Sequence, residues 1–419
     1  MYQQIIIIGT FANYFISVFL SYRQILALRR GKRNELLVDK IKDGDFEMMK
    51  KYNTEKMIFS LFSGTVNFCR LIYFIYFHTI PKFYDYLKKT TGIKSDMMLE
   101  VLFMLVFLHF ERITDIPLSL FSTFFIEERY GFNKMTFAIF MKDFLKETVI
   151  LTLILSLLYA GIYKIMNYFD TFFAIIFVFV CIFQIFLVMI YPVVIQPLFN
   201  KFKELEDGSL KTAIRDLAKK VGFKCNKILV MDGSMRSNHS NAYFIGLFGE
   251  RRIVLFDTLI KQATEGEIIS ILGHEIGHWH HYHIPKMLLL QFSTQFVFFY
   301  FLEVALKNKS FETSLFQAEN TPLIIKMIYF SFFMGILSPF FTLLSNMYSR
   351  YNERQADQFS IRLGLGENLG KGLISIHKEN KSNVCPDWMY STYYHSHPTL
   401  VERLEFISEE EKKLKEKEK

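Results

Sequence analysis

The sequence predicts a mainly α-helical membrane protein with seven spans and a soluble part that contains a small β-sheet. Composition and patterning both indicate this class. Hydrophobic residues make up 51% of the 419-residue chain, Phe alone accounts for 47 residues, and the mean hydropathy is +0.20 although 21% of residues are charged. Disordered and collagen-like proteins do not have this composition. The apolar residues are also concentrated in long stretches, with most of the charged residues between them.

Seven apolar stretches are long enough, or nearly so, to cross a bilayer, which takes about 20 helical residues. The first begins near the N-terminus without the basic start and small-residue cleavage site of a signal peptide, so we expect it to be retained as a span. The stretches are residues 5–28, 57–80, 98–124, 145–168, 172–199, 284–306 and 322–347.

The third stretch is the weakest of the seven, because Glu111, Arg112 and Asp115 lie inside it. Charged groups at such positions must face the interior of the helix bundle or a wet cavity. The alternative is a span that ends near His109 and is followed by a re-entrant or interfacial segment.

The net charge of +8 is interpreted as a signal of membrane topology. Nucleic-acid binding is disfavoured, because no basic run is interleaved with base-stacking aromatic residues. Lys and Arg are abundant in the first predicted loop, few in the second and absent from the fourth. Since cytoplasmic loops carry the excess of Lys and Arg, we predict that the odd-numbered loops and the C-terminus are cytoplasmic and that the N-terminus lies on the far side.

The predicted spans divide the chain into four parts. They are a membrane domain with five N-terminal spans (1–199), a cytoplasmic loop with the core of the soluble domain (200–283), spans six and seven (284–348), and a cytoplasmic C-terminal part with a charged tail (349–419).

The cytoplasmic loop is predicted to contain both helix and strand. Residues 201–222 have the pattern of an amphipathic helix that ends at a glycine. Residues 227–231 and 252–256 have the composition of short strands, and residues 241–244 are a candidate third strand.

The most informative residues are His274, Glu275 and His278, which form an HExxH pentad. Positions i and i+4 of a helix share a face, so both imidazoles can reach one ion, as in zinc peptidases. The carboxylate of Glu275 can then reach a metal-bound water. The alternative is a polar helix end in a His-rich region, since more histidines follow in residues 280–283. The apolar residues 268–272 favour a buried metal site instead.

A catalytic zinc site needs a third protein ligand and an open position. Glu353 and Asp357 lie four residues apart on a predicted helix after the last span. Glu353 can bind the metal, and Asp357 can accept a hydrogen bond from the far nitrogen of a histidine ligand. The alternative is a solvated helix face with an ordinary acid pair. An even number of predicted spans separates the pentad from Glu353, so both lie on the same side of the membrane.

Several segments together resemble the type I CAAX prenyl protease family of integral-membrane zinc metalloendopeptidases. The resemblance extends over most of the chain, from about residue 1 to residue 405. Arg354 departs from the family, which often has an aromatic residue there, and we expect its side chain to face away from Glu353. The segments are the HEIGH pentad, SRYNERQAD at 349–357, SNAY at 240–243, HPTLVERL at 397–404, SLFSTF at 119–124, IEERYGFNK at 126–134 and PLFNKF at 197–202.

The resemblance implies a gluzincin-like zinc protease domain. One zinc ion is then bound by His274, His278 and Glu353, and it lowers the pKa of its bound water. Glu275 is then the catalytic base that accepts the proton of the water and delivers it to the leaving amine. Asp357 is expected to support a histidine ligand and not to bind the ion.

The resemblance also indicates residues that act on the substrate. His397 is expected to donate a hydrogen bond to the tetrahedral oxyanion, and His395 is its competitor for this role. Asn241, Ala242 and Tyr243 are expected to lie on the strand that pairs with the substrate main chain. An ordinary short strand without a binding role is the alternative for this segment.

The substrates of the family are prenylated CaaX proteins, from which the last three residues are removed. The implied location is the endoplasmic reticulum membrane with the active site on the cytoplasmic side, and residues 415–419 match a KxKxx retrieval pattern. A solvated charged helix is the alternative for this tail.

Two other functions are weighed against this prediction. A membrane quality-control metalloprotease of the bacterial heat-shock type shares the pentad and the glutamate helix, but it is shorter and has fewer spans. A transporter or receptor with a degenerate structural metal site is disfavoured, because the three ligand positions and the base are all intact.

Overall fold

The structure of the protein, a computed structural model, describes residues 2–246, 251–316 and 321–417. The first half is helical, with π-helical turns at Ser122–Glu127 and Tyr191–Ile195. Its helices are α1 (Tyr2–Arg30), α2 (Asp43–Tyr76), α3 (Thr79–Thr91), α4 (Asp96–Phe121), α5 (Phe137–Tyr168), α6 (Phe173–Ile190) and α7 (Gln196–Phe199).

The second half combines a small sheet with further helices. In chain order the elements are β1 (Phe202–Glu204), α8 (Ser209–Lys220), β2 (Cys225–Met231), β3 (Ala242–Ile245), β4 (Arg251–Phe256), α9 (Asp257–Gln262), α10 (Glu265–His280), α11 (His283–Lys307), α12 (Lys309–Phe316), α13 (Leu323–Gly335), α14 (Ser338–Arg362), α15 (Gly366–Glu379), α16 (Trp388–Tyr394) and α17 (Leu400–Lys417). The predicted retrieval pattern at 415–419 extends past residue 417 and so lies partly outside the described residues.

Long helices with apolar outer faces identify the membrane part. Large side chains such as Ile8, Leu157 and Ile182 are more than 60% exposed along these helices, which suits a lipid solvent and not water. Five of the described helical segments are long and apolar enough to cross a membrane, namely α1, α2, α5, the stretch Phe173–Phe199 and α11. A bent pair, α13 and α14 at 63°, makes six if it counts as one span.

By length and composition alone, five or six of the seven predicted spans qualify among the described residues. The difference lies in α4, where charged residues such as Glu100, Glu111 and Arg112 interrupt the apolar sequence. Helix α4 continues unbroken past His109 to Phe121, and whether its second part spans the membrane or lies at the interface stays a prediction.

The charged side chains of α4 face neighbouring helices, as their cost in lipid requires. Arg70 of α2 donates to Asp115 at 2.9 Å, and Arg112 donates to Glu147 of α5 at 3.2 Å. Arg112, Asp115 and Glu147 line a cavity of about 950 Å³ that extends to Tyr243 of the sheet.

The sheet has the strand order β1-β2-β4-β3, so β3 lies at one edge. β2 and β4 are parallel, with Ile228 opposite Ile253, whereas β1 and β3 pair antiparallel with their neighbours. Both strands predicted from their β-branched and apolar residues are confirmed within one or two residues. The candidate third strand is β3, which begins at Ala242.

The helix predicted at 201–222 is wrong in its first part. Residues 202–204 form β1, because Phe202 to Glu204 pair with Met231 to Leu229 of β2, and this pairing overrides local propensity. The helix α8 starts only at Ser209 and is followed by Gly222, whose φ of 69° favours glycine.

Two hydrophobic cores hold the sheet and the helices around it together. The sheet and α10 share a core that includes Ile253, Leu255 and Ile271. The first loop packs Leu37 and Met49 against the C-terminal helices α15 and α17. The first loop and the C-terminal part therefore lie on the same side of the molecule.

Candidate active site

Helices α10 and α14 cross at close range and bring the two halves of the site together. Helix α10 begins with a capping box, in which Thr264 and Glu267 satisfy each other's backbone N–H groups. A Cβ atom on Gly277 would lie 3.0 Å from Cα of Ala356, so only glycine permits this separation. Ser360 donates to the carbonyl of Ser270 at 3.0 Å, which joins the helices one turn away. The pentad glycine therefore has a packing role that sequence reasoning missed.

The three predicted ligands converge at this crossing. The Nε2 atoms of His274 and His278 are 3.2 Å apart, and they lie 3.4 Å and 3.2 Å from the two carboxylate oxygens of Glu353. In tetrahedral zinc sites with bonds of about 2.0–2.1 Å, ligand atoms are separated by about 3.3 Å. Among the described residues this is the one His/Cys/Asp/Glu group found with metal-binding geometry.

Asp357 lies behind His274, on the side away from the other two ligands. Its Oδ1 atom is 2.8 Å from Nδ1 of His274, so Nδ1 donates to the carboxylate and the ring directs Nε2 to the site. Arg403 of α17 donates from Nε to the other carboxylate oxygen at 2.9 Å. All three side chains are buried. Arg403 has no role in the sequence-based prediction, although it lies in the quoted segment 397–404.

A second chain of hydrogen bonds orients His278, and the sequence did not predict it. Nε2 of His283 lies 3.0 Å from Oε1 of Gln355 and donates to it, because an amide oxygen can only accept. Nδ1 of neutral His283 is then an acceptor, and it lies 2.9 Å from Nδ1 of His278. His278 therefore donates from Nδ1, and its Nε2 lone pair faces His274 and Glu353. The only signal in the sequence was the histidine cluster after the pentad.

The charges of the site fit a divalent cation. Glu353 is 3% exposed and Asp357 is fully buried, while the buried guanidinium of Arg403 lies beside Asp357. Burial lowers the pKa of His274, but the carboxylates of Asp357 and Glu353 outweigh it and raise this pKa to about 10. The two carboxylates thus attract positive charge to a place where the Nε2 atoms of two imidazoles converge, and these are the N and O ligands that zinc prefers.

Glu275 is on α10 beside the first histidine and is half-buried. Burial raises the pKa of its carboxyl group, and the nearby histidines oppose this only in part. A raised pKa suits a group that must accept and then release a proton near neutral pH.

The structure separates the two histidines that compete for the oxyanion role. Nδ1 of His397 lies 2.8 Å from a carboxylate oxygen of Glu353, and the side chain is 62% exposed. His395 packs its ring against Tyr390, with the centroids 5.8 Å apart. His397 therefore contacts the ligand set, whereas His395 lines the same cavity without a contact to the ligands among the described residues.

The segment Asn241–Tyr243 leads into the edge strand. Asn241 is exposed and its side chain accepts from the backbone N–H of Ala242 at 2.8 Å. Tyr243 pairs with Val254 of β4, which leaves the other edge of β3 without a strand among the described residues. Arg354, the departure from the family pattern, is exposed on α14 whereas its neighbour Glu353 is buried.

Comparison with known proteins establishes the family. A family profile described as "CAAX prenyl protease N-terminal, five membrane helices" matches residues 24–201, and one described as "Peptidase family M48" matches residues 204–411. The chain belongs to the CAAX prenyl protease family. It is therefore a multi-pass membrane metalloprotease, and a metal ion is implied by the peptidase family as well as by the geometry of the site.

Relatives cover nearly the whole chain. "Probable CAAX prenyl protease 1" of Schizosaccharomyces pombe is 37% identical over 96% of this chain and 88% of its own length. "CAAX prenyl protease 1" of Saccharomyces cerevisiae is 36% identical over 96% and 94%. The crystal structure of S. mikatae Ste24p superposes with a TM-score of 0.92, at 36% identity, over 97% of this chain and 98% of that one. The prediction of this family is confirmed, and the bacterial heat-shock type is not supported.

Proposed function

We propose that this CAAX prenyl protease binds one zinc ion through His274, His278 and Glu353 and removes the C-terminal aaX tripeptide from prenylated CaaX proteins. The observation that carries the proposal is the convergence of two Nε2 atoms and a carboxylate at 3.2–3.4 Å. The names of the relatives, which are CAAX prenyl proteases, support the substrate class.

Each group in the site has a separate role in peptide hydrolysis. Zinc, when bound, supplies a Lewis acid that polarises the scissile carbonyl and makes water acidic. Glu275 accepts a proton from the water whose oxygen attacks the carbonyl carbon and forms the new C–O bond. It then transfers this proton to the nitrogen of the leaving amine, and the C–N bond breaks. His397 donates a hydrogen bond to the oxygen that becomes negative.

The remaining residues hold this arrangement in place. Asp357 and His283 keep the Nε2 lone pairs of His274 and His278 directed into the site. The free edge of β3, which Ala242 and Tyr243 begin, binds the main chain of the substrate as an added strand.

A cleavage assay tests the proposal. A farnesylated CaaX peptide incubated with the purified protein should lose its last three residues, as measured by mass spectrometry. The Glu275→Gln variant should keep its zinc and lose the activity, whereas Glu265→Gln, an exposed position on the same helix, should behave like the parent. Cleavage at another bond, or full activity of Glu275→Gln, would contradict the proposal.

We also propose that the protein resides in the endoplasmic reticulum membrane with the active site and C-terminus on the cytoplasmic side. The basic first loop supports this orientation, because it packs against the C-terminal helices and cytoplasmic segments are rich in Lys and Arg. Single cysteines placed near Lys32 and Lys88, in a chain whose own cysteines are replaced, should be labelled from opposite sides of sealed membranes. Labelling of both from one side would refute the topology.

A further inference from the structure

Two cavities lie at opposite ends of the edge strand β3, and each one reaches the metal site. The first, which we call the apolar cavity, has a volume of about 670 Å³ and is lined by Ile245 and His278. Its other walls include Val188, Val193 and Ile284 of the membrane helices. The second, which we call the amino-end cavity, has a volume of about 640 Å³ and is lined by Asn241 and His397.

Lys56 gives the amino-end cavity a cationic wall. It extends from α2, its side chain is 47% exposed, and its Nζ lies 3.3 Å from Glu127. Glu127 lies behind this wall and is also bound by the hydroxyl of Tyr52 at 2.8 Å. Among the described residues, neither Asp nor Glu lines the cavity itself.

His239 lies on the same wall and contacts the same carboxylate. Asn380 holds the backbone of Ser240 through two hydrogen bonds, in which its Oδ1 accepts at 2.9 Å and its Nδ2 donates at 3.2 Å. These two hydrogen bonds fix the orientation of the Asn380 amide. Nδ1 of His239 therefore lies 3.2 Å from Oδ1 of Asn380, and Nε2 of His239 lies 3.4 Å from a carboxylate oxygen of Glu127. Lys56 therefore presents a half-exposed ammonium group to a cavity that no described Asp or Glu lines.

We propose that the amino-end cavity binds the free C-terminal carboxylate of the substrate, with Lys56 as its cationic partner. The inference rests on the proposed function, since removal of a tripeptide places the carboxylate three residues beyond the cleaved bond. Three extended residues cover about 10 Å. The peptide runs antiparallel to β3, with the prenylated cysteine towards the apolar cavity and the carboxylate towards Lys56. Only this direction places the apolar prenyl group in the apolar cavity and the negative carboxylate beside a positive side chain.

The test compares two farnesylated CaaX peptides that differ only at the C-terminus, one with a free acid and one with a primary amide. The parent protein should show a KM for the amide that is about tenfold or more above that for the acid, as expected when a hydrogen bond to a charged group is lost. In Lys56→Met the KM for the acid should rise to that for the amide, and the KM for the amide should stay unchanged. Lys56→Arg should restore the preference.

Lys51→Met is the matched control, because Lys51 is exposed on the same helix and does not line the amino-end cavity. It should retain the preference of the parent for the acid. Equal KM values for the two peptides in the parent, or an equal rise of both in Lys56→Met, would overturn the inference. Failure of the proposed function would look different, since then neither peptide would lose a tripeptide in any of these proteins.

Discussion

Nδ1 of His283 lies 2.9 Å from Nδ1 of His278, and through this contact the first residue of a membrane helix orients a predicted metal ligand. His283 is in turn held by Gln355 of α14, the helix that carries Glu353. The two histidines thus connect the start of α11 to both helices of the metal site.

His283→Ala should weaken zinc binding and reduce turnover by roughly 10- to 100-fold, the usual effect of removing a residue that orients a ligand. Without its acceptor, His278 can rotate or present a proton on Nε2. Metal analysis after dialysis against a chelator series, together with peptide cleavage, measures both effects. His280→Ala is the control, since His280 is exposed and has no contact with the ligands among the described residues. Parent-like zinc retention in His283→Ala would contradict the role.

The purified protein should contain one zinc ion per chain, and the double variant His274→Ala/His278→Ala should contain none. Removal of zinc by a chelator should abolish cleavage and lower the melting temperature, because a ligand that binds only the folded state stabilises it. Added zinc should reverse both changes. A protein without zinc, or unchanged zinc in the double variant, would disprove the metal site.

Asp357→Asn should lower activity by roughly 10- to 100-fold while the fold is retained. The amide can still accept from His274, but it removes the negative charge that both His274 and Arg403 contact. Steady-state cleavage and circular dichroism give the two readouts. Arg354→Ala on the same helix should be mild, because its side chain is exposed. Equal activity of Asp357→Asn and parent would count against the role.

His397→Ala should keep its zinc and lose about 10²–10³ in kcat, the usual loss when one oxyanion donor is removed. His397 approaches the carboxylate of Glu353, whereas His395 packs on Tyr390. His395→Ala should therefore have a small effect. Single-turnover cleavage and metal content distinguish the two. The reverse order of effects would assign the donor role to His395.

Gly277→Ala should destabilise the protein by about 1–3 kcal/mol, the usual cost of overpacking. Its Cβ would lie 3.0–3.1 Å from backbone atoms of Ala356, which can yield only if α14 moves away from α10. The same movement should lower activity, because it separates Glu353 from the histidines. Gly64→Ala is the control, since a Cβ there meets nothing within 4 Å. Thermal unfolding in detergent measures the difference, and equal melting of the two variants would contradict this account.

Much of the membrane part could be predicted from the sequence, because lipid imposes a simple rule on long apolar stretches. The number of spans could not be predicted in the same way, because α4 carries charged residues whose partners belong to other helices. Arg112 pairs with Glu147 of α5, and Asp115 pairs with Arg70 of α2. The strand at Phe202–Glu204 also could not be predicted, because the strand with which it pairs, β2, lies more than twenty residues later in the chain.

The sequence by itself determined the helix face that carries His274, Glu275 and His278, because the spacing of residues on a helix is a local property. It also determined the family, since several segments occur in a specific order. Only the tertiary structure decided which groups orient the ligands, namely Arg403 behind Asp357 and His283 behind His278. A hydrogen bond between segments far apart in the chain depends on how helices pack, and no local pattern records that packing.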